Sequence, residues 1–168
     1  IVYAYEEEYA DALTYYFKAD SIITTRNVEQ WKYHIALNLG DVYNRLNKND
    51  SAYIYFKKSF DEAVKLQDGD LIGTSMVGLG HSYFKEQRYE LSKENYLGAL
   101  PFLYKANDEE LICEAASGLA KLYDTIRQPD SSRYFARLQL SKDKKDGFLS
   151  WELDAAVFLT GHYRRLSN

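Results

Sequence analysis

Apolar and polar positions alternate along the chain with a helical rhythm. Leu39 and Tyr43, and after them Ala52, Phe56 and Ser59, stand three or four residues apart, which places each set on one face of a helix. Short polar breaks interrupt this rhythm at 47–50 (NKND), 85–88 (KEQR) and 127–130 (RQPD), and again at 68–70 (DGD), 107–108 (ND) and 144–147 (KKDG). The pattern predicts nine helical segments at roughly 1–5, 8–24, 28–46, 50–66, 70–86, 88–105, 108–126, 130–143 and 147–166, and no sheet. Asn27 with Gln30 and Asn107 with Glu110 have the spacing of capping boxes, and Asp50 and Asp130 are placed to accept from the first free amides of their helices. Two prolines in 168 residues agree with a mostly helical chain, and Pro101, inside a predicted helix, should bend it.

The pattern also repeats. Leu39, Leu79, Leu119 and Leu159 are 40 residues apart, and so are Tyr3, Tyr43, Tyr83, Tyr123 and Tyr163. The residue after each Leu is small: Gly40, Gly80, Ala120, Thr160. Ala12, Ala52, Ser92 and Ser132 keep the same phase, as do Tyr16, Phe56 and Tyr96, and Ala19, Ser59 and Ala99. Each period therefore holds two helices. Gly40 and Gly80 lie inside helices and not in a loop after a strand, so they read as places of close helix approach, with Tyr43 and Tyr83 filling the space beside them, and not as a phosphate cradle. In the third period the aromatic slot holds Ala136, with Phe135 one place early, which leaves the register of that helix open.

A Leu-Gly pair with Tyr three residues on, then a small residue, an aromatic and another small residue on a second helix, resembles the tetratricopeptide repeat. The period of 40 exceeds the commonest form of that family, 34, and matches its long-repeat members in bacterial signalling proteins and some eukaryotic scaffolds. The resemblance implies an all-α fold, a right-handed α-solenoid of antiparallel helix pairs. It divides a single array over 1–168 into a partial repeat at 1–27, full repeats at 28–67, 68–107 and 108–147, and a partial repeat at 148–168.

Charge and candidate chemistry narrow the function classes. With 21 basic and 25 acidic residues the net charge is −4, and no basic run tracks a phosphate backbone, so no direct nucleic-acid partner is expected. No apolar run approaches the ~20 residues of a membrane span, and the first residues lack the features of a signal peptide. The chain starts on Ile, an expectation of excision from something longer. Cys113, alone, excludes an internal disulfide framework; it fits a reducing compartment and equally a cysteine-poor exported protein, and its apolar setting reads as a buried, inert thiol. Glu6, Glu7 and Glu8 read as preceding a helix and complementing its dipole. The three histidines lack metal-ligand spacing, and neither a cofactor nor catalysis is expected.

What remains is a wall of first helices. The resemblance assigns to its inner, concave face His34, Leu37, Asn38, Asp41, Asn44 and Arg45, then Val77, His81, Phe84 and Lys85, then Glu114, Ser117, Lys121 and Asp124. Of these, His34, Asn38, Asp41, Asn44, Arg45, His81, Lys85, Glu114 and Lys121 are the candidate ligand contacts, since amides and charges of both signs can hold a peptide backbone and its side chains. The implied function is protein or peptide binding, as the sensor or interaction segment of a larger bacterial signalling or regulatory protein. An assembly scaffold, self-associating through uncapped ends, is the alternative; a phosphatase built on a similar array is a third class.

Overall fold

A computed structural model describes residues 2–26 and 31–140. They form seven helices: α1 (Val2–Arg26), α2 (Lys32–Arg45), α3 (Asn49–Leu66), α4 (Gly69–Lys85), α5 (Tyr89–Ala106), α6 (Glu109–Thr125) and α7 (Pro129–Leu140). No strand occurs among the described residues. The predicted segments 1–5 and 8–24 are one continuous helix, so Glu6, Glu7 and Glu8 lie inside α1 and do not precede it. α5 runs through Pro101 as one helix, with the proline on its exposed side. The segment predicted at 147–166 and the Asn27–Gln30 pair lie outside the described residues.

Each helix packs mainly on its neighbours in sequence, giving an all-α stack. α2 also touches α4, and α4 touches α6, so the even-numbered helices form a layer of their own. The larger core lies between α4 and α7 and includes Tyr96, Leu97, Leu100, Leu103, Leu119, Leu122 and Phe135. A smaller one, Ala52, Phe56 and Leu79, joins α3 to α4.

The junctions share one geometry. Asn47, Gln67, Gln87, Asn107 and Arg127, 20 residues apart, all have left-handed backbone with φ between 55° and 60°. After each, the next amide reaches back five residues: Lys48 N–H donates to Tyr43 O, Asp68 to Ala63, Arg88 to Tyr83, Asp108 to Leu103 and Gln128 to Tyr123, at 2.8–3.1 Å. This Schellman closure satisfies a carbonyl that the helix end would otherwise leave open. It also corrects two expectations. Asn107 ends α5 and does not cap α6; the cap is Asp108, whose carboxylate accepts from Leu111 N–H at 3.0 Å, as Asp68 accepts from Leu71 N–H at 3.1 Å. Asp50 and Asp130 sit within the first turns of α3 and α7, where a negative charge complements the helix dipole.

The small residues of the repeat have a definite partner. A Cβ on Gly40 would stand 2.7 Å from the Phe56 ring, and one on Gly78 2.4 Å from the same ring. One period later a Cβ on Gly80 would stand 2.7 Å from the Tyr96 ring, and one on Gly118 2.4 Å from it. Each ring is thus a wedge from a second helix, seated between a glycine of its own first helix and a glycine of the next. The ring against each glycine is therefore Phe56 or Tyr96, not Tyr43 or Tyr83. In the third period Ala120 and Ala136 replace the glycine and the ring together, while Phe135 is buried one place earlier and stacks on Tyr123 at 5.5 Å. Asn38 stands where Gly78 and Gly118 stand, so α2 offers no glycine seat to Tyr16 of α1, which stays half-buried.

Beside these wedges run hydroxyl ties. Ser92 Oγ donates to Gly80 O at 2.8 Å and Ser132 Oγ to Ala120 O at 3.0 Å, each binding a second helix to its first. Ser59 and Ser75, both fully buried, share a hydrogen bond of 2.9 Å between α3 and α4.

Candidate functional site

On α6, Glu114, Ser117, Gly118 and Lys121 follow the i, i+3, i+4, i+7 rule and face one way. On α4, His81, Phe84 and Lys85 do the same. Together with Asn44 at the end of α2 and Tyr96 from α5, these residues line a cavity of about 390 Å³. Tyr96 is held there because Gly80 and Gly118 leave room for its ring, so the wedge that joins the helices is also the cavity floor.

His81 is strongly changed by this setting. Its ring meets the edge of Tyr96 at 5.3 Å, and its Nδ1 lies 3.5 Å from Glu114 Oε1. Burial, then the positive charges of Lys121 and Lys85, lower its pKa to about 4. At neutral pH it is therefore an uncharged imidazole. Glu114 is pushed the other way: burial raises its carboxyl, Asp41 raises it further, Arg45 opposes, and Glu110 and Asp108 add to the rise. Burial also raises Asp41, with Arg45 again opposing, although solvent reaches the residue. The Tyr96 hydroxyl is raised by burial and by Glu114, with a hydrogen bond to Ser92 acting against them.

Lys85 has a second task. Its Nζ donates to Asn44 O at 2.9 Å and to Asn47 Oδ1 at 3.2 Å, which ties α4 to the C-terminal end of α2. Burial lowers its pKa. The Asn44 side-chain Oδ1 is shielded from solvent without a hydrogen-bond partner, beside the cavity that its residue lines.

Of the nine candidate contacts, the structure brings Asn44, His81, Lys85, Glu114 and Lys121 to one cavity. Asp41 and Arg45 stand close enough to shift Glu114. His34 lies apart, exposed near the start of α2 and against the rings of Tyr33 at 4.3 Å and Trp31 at 5.5 Å. Asn38 is half-buried on α2 and outside the cavity lining. Phe84 and Ser117 join the lining, and Asp124 is exposed. Val77, expected on the inner face, is instead buried in the main core at 2% exposure. Sequence reasoning missed Tyr96 and Gly118 as lining residues, although Gly78 and Gly118 stand 40 residues apart and could have been read as a second small-residue series. Cys113 is partly exposed, against expectation, with its Sγ 3.7 Å from Gln139 O on α7.

Among the described residues no group of His, Cys, Asp and Glu is arranged to hold a metal ion. No described helix is long and apolar enough to cross a membrane. What the lining offers is an aromatic floor, hydroxyl and amide groups, and charges of both signs: means of holding a ligand. No protein-family model matches the chain, and no curated protein matches it significantly.

Proposed function

We propose that this chain is a right-handed solenoid of the tetratricopeptide type that binds an extended protein segment along the face made by α2, α4 and α6. The observation that carries the reading is the cavity on that face, where five of the nine candidate contacts meet. Helices that close alike every 20 residues, and aromatic wedges repeated at 40, support the repeat architecture. In such stacks the concave wall is the recognition surface. By analogy with regulators that carry such arrays, the chain serves as the interaction segment of a larger signalling protein.

The experiment is capture of peptides from a randomised library, followed by titration with Asn44→Ala, Asn38→Ala and Lys121→Ala. Asn44→Ala should weaken binding by about 1–3 kcal/mol if its amide meets the ligand backbone, with little change in melting temperature. Unchanged affinity in all three variants would place the ligand elsewhere.

An assembly scaffold is the second reading. It is favoured by exposed apolar side chains toward the N-terminal end: Tyr15 and Ile22 on α1, Ile54 and Leu66 on α3. Light scattering on the intact chain separates the two, since a scaffold of this kind would self-associate without added peptide.

A further inference from the structure

Resting on the peptide-binding reading above, we infer that the cavity selects an extended segment by two opposite charges, a basic and an acidic side chain two residues apart. The basic group lies against Glu114 and the acidic group against Lys121.

The two poles sit on one helix face. Glu114 and Lys121 are seven residues apart on α6, about 10 Å along the axis. Ser117 lies between them on the same face, and the Tyr96 ring fills the space over Gly118, so a ligand spanning the poles rests on a small hydroxyl side chain and an aromatic floor. Charge collects differently at the two ends. Around Glu114 stand Asp41 from α2, Glu110 from α6 and Asp108, the cap of α6, with Arg45 the opposing charge. Lys121 and Lys85 both line the cavity, and the positive charge of each acts on His81. Lys85 is held on the end of α2 by Asn44 O and Asn47 Oδ1, which makes Lys121 the pole that faces a ligand.

His81 stands against the acidic pole. Being uncharged at neutral pH and 3.5 Å from Glu114, it does not neutralise that carboxylate. A segment with two acidic side chains would bring one of them against Glu114 and Asp41. A segment with two basic ones would bring one against Lys121. In an extended chain, residues i and i+2 point the same way with their Cα atoms about 7 Å apart, and long side chains reach the remaining distance. Alternate residues point away, and their identity is free.

The test uses blocked nonapeptides in which positions 4 and 6 are fixed as Lys and Glu, Lys and Lys, or Glu and Glu, with all other positions randomised. Binding is read by fluorescence anisotropy. The mixed pool should bind at least tenfold more tightly than either like-charged pool. Glu114→Lys should then favour the doubly acidic pool, and Lys121→Glu the doubly basic one. Both side chains are exposed, and circular dichroism checks that the variants stay folded. Equal binding of the three pools, or variants that weaken all pools alike, would overturn the charge rule while leaving peptide binding in place. Binding of no pool would overturn both.

Discussion

Around Phe56, Gly40 closes on the ring from α2 and Gly78 from α4; around Tyr96, Gly80 and Gly118 do the same from α4 and α6. Both rings are 1% exposed, and the seats are alike to a few tenths of an ångström. Their surroundings differ. Tyr96 brings a hydroxyl that Phe56 lacks, and the residues above it, Ser117 and Lys121, are replaced one period earlier by buried Val77 and by His81, itself a lining residue of the later cavity. The repeated positions build the stack and the floor of the site, and positions that escape the repeat supply its polar walls. A third place completes the comparison, because where the ring is lost, at Ala136, the glycine has become Ala120, and the pair changes together.

The sharpest way to break this equivalence is to remove the rings. Phe56→Ala and Tyr96→Ala should each destabilise by about 3–5 kcal/mol, since each leaves a cavity where the ring now fills the space between two glycines. Denaturant midpoints are the measurement, and a loss below about 1 kcal/mol in either would show that the two wedges are not equivalent.

Next come the seats themselves. Gly80→Leu or Gly118→Leu should cost about 1–3 kcal/mol or more by overpacking, against ~0.5 kcal/mol for His81→Ala on the cavity wall. Gly118→Ala combined with Tyr96→Leu should lose less than the sum of the single changes, because the smaller side chain makes the room that the new Cβ needs. Additive losses would mean that ring and glycine are not in contact.

The cavity side of the comparison is sharpened by pH. His81 is held near 4 against an ordinary value of 6.5, so between these values the unfolded chain binds more protons than the folded one. Stability from His81 is present above pH 6.5 and is lost as pH falls toward 4. Glu114 and Asp41, both raised, act in the opposite sense over their own range, so the measurement is a difference between proteins. Between pH 7 and pH 4 the native chain should lose roughly 1–2 kcal/mol more than His81→Gln. Parallel stability curves for the two would contradict a half-buried, neutral His81.

The smallest effect concerns the hydroxyl ties. Ser92→Ala should cost about 1 kcal/mol, the net value of a buried hydrogen bond. Ala52 occupies the same slot in the first wedge without a hydroxyl, and Ala52→Ser should recover about as much if its Oγ reaches Gly40 O. Thermal melts of both variants decide this, and a destabilised Ala52→Ser would mean that the first pair of helices lies closer than the second.

Much of the fold can be read from particular residues. The breaks at 47–50, 68–70, 85–88, 107–108 and 127–130 all fall at helix ends, because polar residues gather where backbone groups must find other partners. What those breaks do locally was less legible. Asn107 with Glu110 matches a capping box by spacing, yet one backbone hydrogen bond, from Asp108 N–H to Leu103 O, turns Asn107 into the end of the preceding helix. The break between segments 1–5 and 8–24 does not occur, since the three glutamates there are good helix formers and no Gly or Pro interrupts them.

Helices over the described residues, two to a period of 40, and glycines that serve packing were all legible in the residue pattern. Those follow from local spacing and from residue size, which are properties of each segment. Packing of the helices settles the rest: which ring fills each glycine seat, that Val77 belongs to the core, that Lys85 is tied to α2, and that five of nine candidate residues share one cavity while His34 and Asn38 stand apart. The reason is physical. Contacts between helices depend on how far each is turned and shifted against the next, which is set by how side chains of both helices interlock and not by the spacing within either one.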